Sequence, residues 1–243
     1  MPGVKEVESY VFNSCKALDA VECDKLEIIR DRAFCQCRTL RSINLPSARI
    51  VDAASFFNCN ALTDVKFSNK LESLGALGEE GAFGNCFSLE RITLPLKDGI
   101  ITTDNTFKTC HNLRYVDLVE GEVLRESVAS LLLDDWRNDM NEEIDSINRI
   151  LPNANAGHYG DDDEGRFVSE GGEKAQVIRA WIRSVLHKII YYKAEHRRLL
   201  REAASILQFA LPRDILMNNV LSFLELPSYS FEGEDETDDS DEE

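Results

Sequence analysis

One spacing recurs five times in the first half of this chain. A Phe is followed by Cys at the third residue, Leu at the sixth, Val or Ile at the ninth and another core-type residue at the eleventh. The five copies are Phe12, Cys15, Leu18, Val21, Cys23; Phe34, Cys37, Leu40, Ile43, Leu45; Phe56, Cys59, Leu62, Val65, Phe67; Phe83, Cys86, Leu89, Ile92, Leu94; and Phe107, Cys110, Leu113, Val116, Leu118. A unit of this length is too small to bury its own apolar face, so the copies must stack on one another around a shared core. The pattern ends in period-two alternation over its last two positions, which predicts a short strand with one buried face in each copy. Successive strands are expected to pair as a parallel sheet along one side of a solenoid. Pro46 and Pro95 fall at the ends of two of these strands, where proline is tolerated. A second apolar pair precedes the Phe, as in Val4 and Val7 or Leu26 and Ile29. The longest step between phenylalanines contains Gly75, Gly78 and Gly81 and reads as a surface insertion.

The fuller pattern Ala-Phe-x-x-Cys-x-x-Leu-x-x-Ile-x-Leu-Pro, clearest at 33–46 and 82–95, resembles the BspA-type leucine-rich repeat. The resemblance covers about residues 4–119 and implies a curved solenoid that serves as a binding scaffold. The first copy departs from the pattern, with Val11 in place of Ala and Cys23 in place of an aliphatic residue. No N-terminal cap is recognisable; either the first copy caps itself or the protein begins further upstream.

Five of the seven cysteines occupy one repeat position, which predicts a ladder of buried thiols touching backbone carbonyls. Tight Cys-x-x-Cys pairs of the kind zinc sites use are absent. Cys23 reads as a packing residue, and Cys35, just after a repeat Phe, as the exposed thiol. The odd count and the absence of a signal-peptide pattern lead us to expect a reducing, cytoplasmic or nuclear setting.

The residues between the inward strand positions point outward. One row is Ala20, Ser42, Asp64, Arg91, Tyr115, and the next is Glu22, Asn44, Lys66, Thr93, Asp117. Asp19, Arg41, Thr63, Glu90 and Arg114 lie just before them. From these rows we take Ser42, Asn44, Asp64, Lys66, Arg91, Thr93, Tyr115 and Asp117 as the candidate partner-binding residues, a mixture of charge and aromatic surface suited to protein recognition. Neither a catalytic constellation nor a metal-ligand set emerges: the four histidines are scattered, and no phosphate loop, HExxH or nucleophile elbow occurs. No cofactor is expected.

After Gly121 the pattern becomes helical. Apolar residues at four- and three-residue steps predict a long helix over 122–151, ended by Pro152. A polar stretch follows, with Asp161–Glu164 at its centre. Its acids lack the alternation of a calcium loop. A heptad seam from Ile178 to Ala210 predicts a second long helix over 173–210. The first helix carries eight acids and three arginines; residues 174–201 carry eight bases and one acid. Opposite charge favours an antiparallel hairpin of the two. The seam also offers a homodimer through the 173–210 helix. The net charge of -17 opposes nucleic-acid binding, and no membrane span is expected. Residues 211–227, Leu-Pro-Arg-Asp-Ile-Leu leading to Leu-Ser-Phe-Leu, resemble the first part of an F-box, which implies a ubiquitin-ligase adaptor. Their other reading is a short helix over 212–224 that packs on the hairpin. Nine acids in the last twelve residues predict a disordered tail.

The expected fold is therefore α+β: a leucine-rich-repeat solenoid of five repeats with a parallel strand face over 1–121, an all-α hairpin or coiled-coil region over 122–227, and an acidic tail over 228–243. The expected function is a non-enzymatic scaffold for a protein partner, with the helical region as cap or oligomerisation element.

Overall fold

A computed structural model of the protein describes residues 3–76, 80–154, 173–209 and 211. The polar stretch around Asp161, the 212–224 helix, nearly all of the F-box-like segment and the acidic tail lie outside the described residues.

The repeat folds as a solenoid with two parallel sheets rather than one. The five expected strands form the first: β2 (Ala20–Val21), β4 (Ser42–Leu45), β6 (Asp64–Phe67), β8 (Arg91–Leu94) and β9 (Tyr115–Leu118), paired in that order. The second holds β1 (Glu6–Val7), β3 (Ile28–Ile29), β5 (Ile50–Asp52) and β7 (Ser73–Ala76), and a single bridge from Leu74 to Ile101 extends it. The second sheet grows from the apolar pairs that precede each Phe: Val7, Leu26, Ile29 and Val51 are all buried. Gly75 is therefore a strand residue, and Gly81 is packed against the next turn rather than lying on a surface insertion.

The turn between the sheets carries the Phe and the Cys. Phe12, Phe34, Phe56, Phe83 and Phe107 stack face to face, with centroids 5.2–5.9 Å apart. Two residues beyond each Phe the chain enters the left-handed region, with φ of 59–62° at Ser14, Gln36, Asn58, Asn85 and Thr109. That kink reverses the chain and turns the following thiol inward. The thiols of Cys37, Cys59, Cys86 and Cys110 each donate to the carbonyl of the preceding turn's Phe, at 3.0–3.1 Å. The thiol ladder is thus a hydrogen-bonded column beside the aromatic stack. Burial pushes the Cys37 thiol up to about 11 and the Cys110 thiol up to about 12.

The expectation for Cys35 is wrong. It is 4% exposed, because turns stack on both sides of it, whereas the half-buried thiol is Cys15 in the first turn.

The single helix expected over 122–151 is two: α1 (Gly121–Ala129) and α2 (Asp134–Ile150). The Ser130 hydroxyl donates to the Glu126 carbonyl at the end of α1. The chain then turns so that Leu131, rather than Leu132, is buried with Leu124 and Val128. Leu133 is extended, and α2 restarts with Asp134 and Asp135 in its first turn, where the helix dipole favours acids. The Arg137 guanidinium reaches back to the Leu131 carbonyl and pairs with Asp134, fixing the corner.

α3 (Glu173–Leu207) runs antiparallel to α2. Trp136 packs on Tyr192 with ring centroids 5.4 Å apart, Lys188 pairs with Asp139 and Glu143 at 2.9 Å, and the Trp181 indole donates to the Glu143 carbonyl at 2.9 Å. The opposite charges of the two helices do meet, as the sequence implied. The base-rich helix also reaches the solenoid. Arg183 pairs with Asp98 at 2.9 Å, Arg179 pairs with Asp104, and the buried Lys174 enters the last turn. Ile178, Ile182, Val185 and Ile189 of the heptad seam are consumed by this packing.

Candidate functional site

The eight candidate residues form a regular grid. Parallel pairing places Ser42, Asp64, Arg91 and Tyr115 side by side in one row, and Asn44, Lys66, Thr93 and Asp117 in the next. Neighbours in a row are about 4.8 Å apart, the strand spacing. The intervening Ile43, Val65, Ile92 and Val116 point into the core, so the grid is rigidly held from beneath. Ser42, Asn44, Lys66 and Tyr115 are exposed; Asp64, Arg91, Thr93 and Asp117 are half-buried.

At the helical end of the grid three of these side chains form one cluster. The Arg91 guanidinium lies 4.6 Å from the centre of the Tyr115 ring, and its Nη1 donates to Asp117 Oδ2 at 2.6 Å. The Asp117 hydrogen bond raises the Arg91 pKa above its ordinary value. Tyr115 and Arg91 thus present a braced planar surface, the residue types that dominate protein-recognition hot spots. Ser42, Asn44, Asp64, Lys66 and Thr93 share the face without touching one another through side-chain hydrogen bonds or ion pairs.

The two sheet faces treat their charges differently. Just before the strands of the second sheet, successive turns place Lys5, Glu27, Arg49 and Glu72 in register. Lys5 pairs with Glu27 at 2.9 Å and Arg49 with Glu72 at 2.7 Å. Beside them Arg30 bridges Glu6 at 2.5 Å and Asp52 at 3.7 Å. Lys5 holds the Glu27 carboxyl below its ordinary value. That face neutralises itself. On the first sheet, Asp19, Arg41, Asp64, Lys66, Glu90 and Arg114 enter no ion pair among the described residues. The row Asp19, Arg41, Thr63, Glu90, Arg114 alternates in sign, apart from Thr63, yet its charges do not pair with one another.

Among the described residues no three His, Cys, Asp or Glu side chains gather as a metal site, and no helix is long and apolar enough to cross a membrane. The sequence reading missed Lys174, which caps the last turn, and a cleft where the grid meets the helices. Both depend on how the helical region docks, and no local spacing encodes that.

Residues 2–114 match the family model described as BspA type leucine-rich repeat region, in six copies. The match ends before the helices, to which no family is assigned. A solved structure, that of a leucine-rich repeat protein from Bacteroides ovatus, is similar at 20% identity. The match covers 47% of this chain and 43% of that one, with a TM-score of 0.23, so this chain spans less than half of that protein's length. No curated protein matches. A solenoid of this family is consistent with a scaffold for protein interaction.

Proposed function

We propose that the protein is a non-enzymatic recognition scaffold that binds a protein partner through the first-sheet grid from Ser42 to Asp117. The observation that carries this reading is the contrast between the faces. The second sheet pairs its charges turn by turn, whereas the first holds unpaired charges on a rigid strand lattice around the Arg91–Tyr115 cluster. A fixed array loses little side-chain entropy when it binds, which is the advantage of preorganisation. The test is capture from native lysate with the intact chain and with the triple variant Asp64→Ala, Arg91→Ala, Tyr115→Ala. The reading expects a partner bound by the first and lost by the folded variant. Recovery of the same partner by both moves recognition to the helical half.

A second reading, self-association, is favoured by the far end of α3. At about 1.5 Å per residue, its 35 residues greatly outrun the 17 of α2. Ile206 is 70% and Phe209 87% exposed. Light scattering of the intact chain and of Ile206→Glu tests it: a dimer that becomes a monomer supports the reading, and a monomer in both contradicts it.

A further inference from the structure

A cleft of about 570 Å³ opens where the strand grid ends against the helices, lined by β9, the turn after it, α1, α2 and Trp181 of α3. That volume lies in the range of ligand pockets, about 300–1,000 Å³. Its apolar lining comes from Val116, Leu118, Ile144 and Trp181. Its charged lining is mainly acidic: Asp117, Glu120, Glu122 and Asp145, against Arg125. The one arginine is already committed, donating to Asp145 at 2.5 Å and to the Asn141 side chain at 3.2 Å. Asp117 is held by Arg91. Glu120 and Glu122 have no ion pair among the described residues.

Glu120 also sits in the left-handed region, with φ of 56°, which is sterically costly for a residue with a Cβ. It precedes the first residue of α1, yet its side chain makes no capping bond to the helix. The strained backbone is thus not repaid by the local hydrogen bond that an N-cap side chain ordinarily makes. Glu120 is left lining the cleft, as is Glu122.

We propose that this cleft receives an arginine or lysine side chain of the partner, its aliphatic stem against the apolar lining and its cationic head between Glu120 and Glu122. The inference rests on the strand-face reading, because the cleft shares Asp117 with the grid and so extends the same surface. Charge complementarity selects the occupant. An acidic side chain would meet two uncompensated carboxylates, whereas a long basic one matches both lining and charge.

The test needs no knowledge of the partner. N-acetyl-arginine amide is titrated into the full chain, with N-acetyl-citrulline amide as its neutral isostere. The Trp181 indole N–H is followed by NMR and assigned with the Trp136→Phe variant. We expect a saturable shift at Trp181 and at the 116–118 amides with the arginine probe. The citrulline probe should bind at least tenfold more weakly, as should the arginine probe with the Glu120→Gln, Glu122→Gln double variant. Equal response to both probes, no saturable response, or shifts confined to another surface would overturn the proposal. Such a failure leaves the capture experiment on the strand face untouched, whereas capture retained by the folded triple variant, with a positive titration, would sink the strand-face reading alone.

Discussion

Lys174 holds its Nζ 2.6 Å from the carbonyl oxygen of Leu113 and also donates to the His111 carbonyl at 3.2 Å. Counted from the repeat Phe, these are the sixth and fourth carbonyls of the last turn. At the start of the solenoid the same two carbonyls, those of Leu18 and Lys16, are satisfied by the Thr39 hydroxyl of the next turn, at 2.8 and 2.9 Å. Lys174 therefore supplies from a helix the donor that a sixth turn would have supplied. Asn148 acts similarly at the strand edge, its side-chain oxygen accepting from the Val116 N–H at 2.9 Å. The helical region ends the solenoid by imitating its hydrogen bonds as well as by covering its apolar end.

Replacing Lys174 with Ala should leave two carbonyls unsatisfied at a position where the side chain is 2% exposed. A loss of about 1–3 kcal/mol is expected for an orphaned buried polar group, read as a lower midpoint in urea. Unchanged stability would remove Lys174 from the cap.

Burial also lowers the Lys174 pKa to about 8. The unfolded chain then holds this proton more tightly than the folded one, so folding releases it between about pH 8 and the ordinary lysine value near 10.4. This group's contribution to stability should rise with pH through that window, and its penalty should be fully present below it. Urea midpoints of the intact chain and Lys174→Met at pH 7.5 and 9.5 check this. The intact chain should gain relative to the variant at the higher pH; parallel behaviour would contradict the account.

All seven cysteines are free, yet six are buried. Native alkylation followed by peptide mass spectrometry should modify Cys15 first and leave Cys35 and the other ladder thiols unmodified until denaturant is added. Early labelling of Cys35 or Cys59 would contradict the packing described.

The sequence made one sheet legible and hid the other. Val21, Ile43, Val65, Ile92 and Val116 open an alternating run, so their strands could be read by period. β1 and β3 are two residues long, and their signal was only an apolar pair three apart, such as Leu26 and Ile29. The break between α1 and α2 was hidden because Leu131, Leu132 and Leu133 allow either register, and tertiary burial of Leu131 decided it. Cys35 was misread because its repeat position has no fixed burial: Asn13 is exposed there, Phe57 and Lys108 are half-buried, and Gly84 is buried. The candidate grid was legible because strand alternation alone places it. Lys174 and the cleft were not, since both are made by segments distant in the chain.

Gly81 sets the close approach of two turns. A Cβ there would lie 1.6 Å from the Asn105 carbonyl oxygen, a backbone atom. Gly81→Ala should cost about 3 kcal/mol or more, at the severe end for single substitutions. Gly99 has φ of 78° and open space around it, and Gly99→Ala should cost about 1–2 kcal/mol, the left-handed penalty alone. Thermal melts of the two variants should keep that order.

The measurement that bears most directly on the central claim compares the two faces with one captured partner. Calorimetric affinities would be taken for the intact chain, for Lys66→Ala with Tyr115→Ala on the first sheet, and for Arg49→Ala with Glu72→Ala on the second, all checked for folding by circular dichroism. The account predicts at least a tenfold loss for the first pair, about 1.4 kcal/mol or more, and no more than a twofold change for the second. Undiminished affinity in the first pair, or a larger loss in the second, would contradict it.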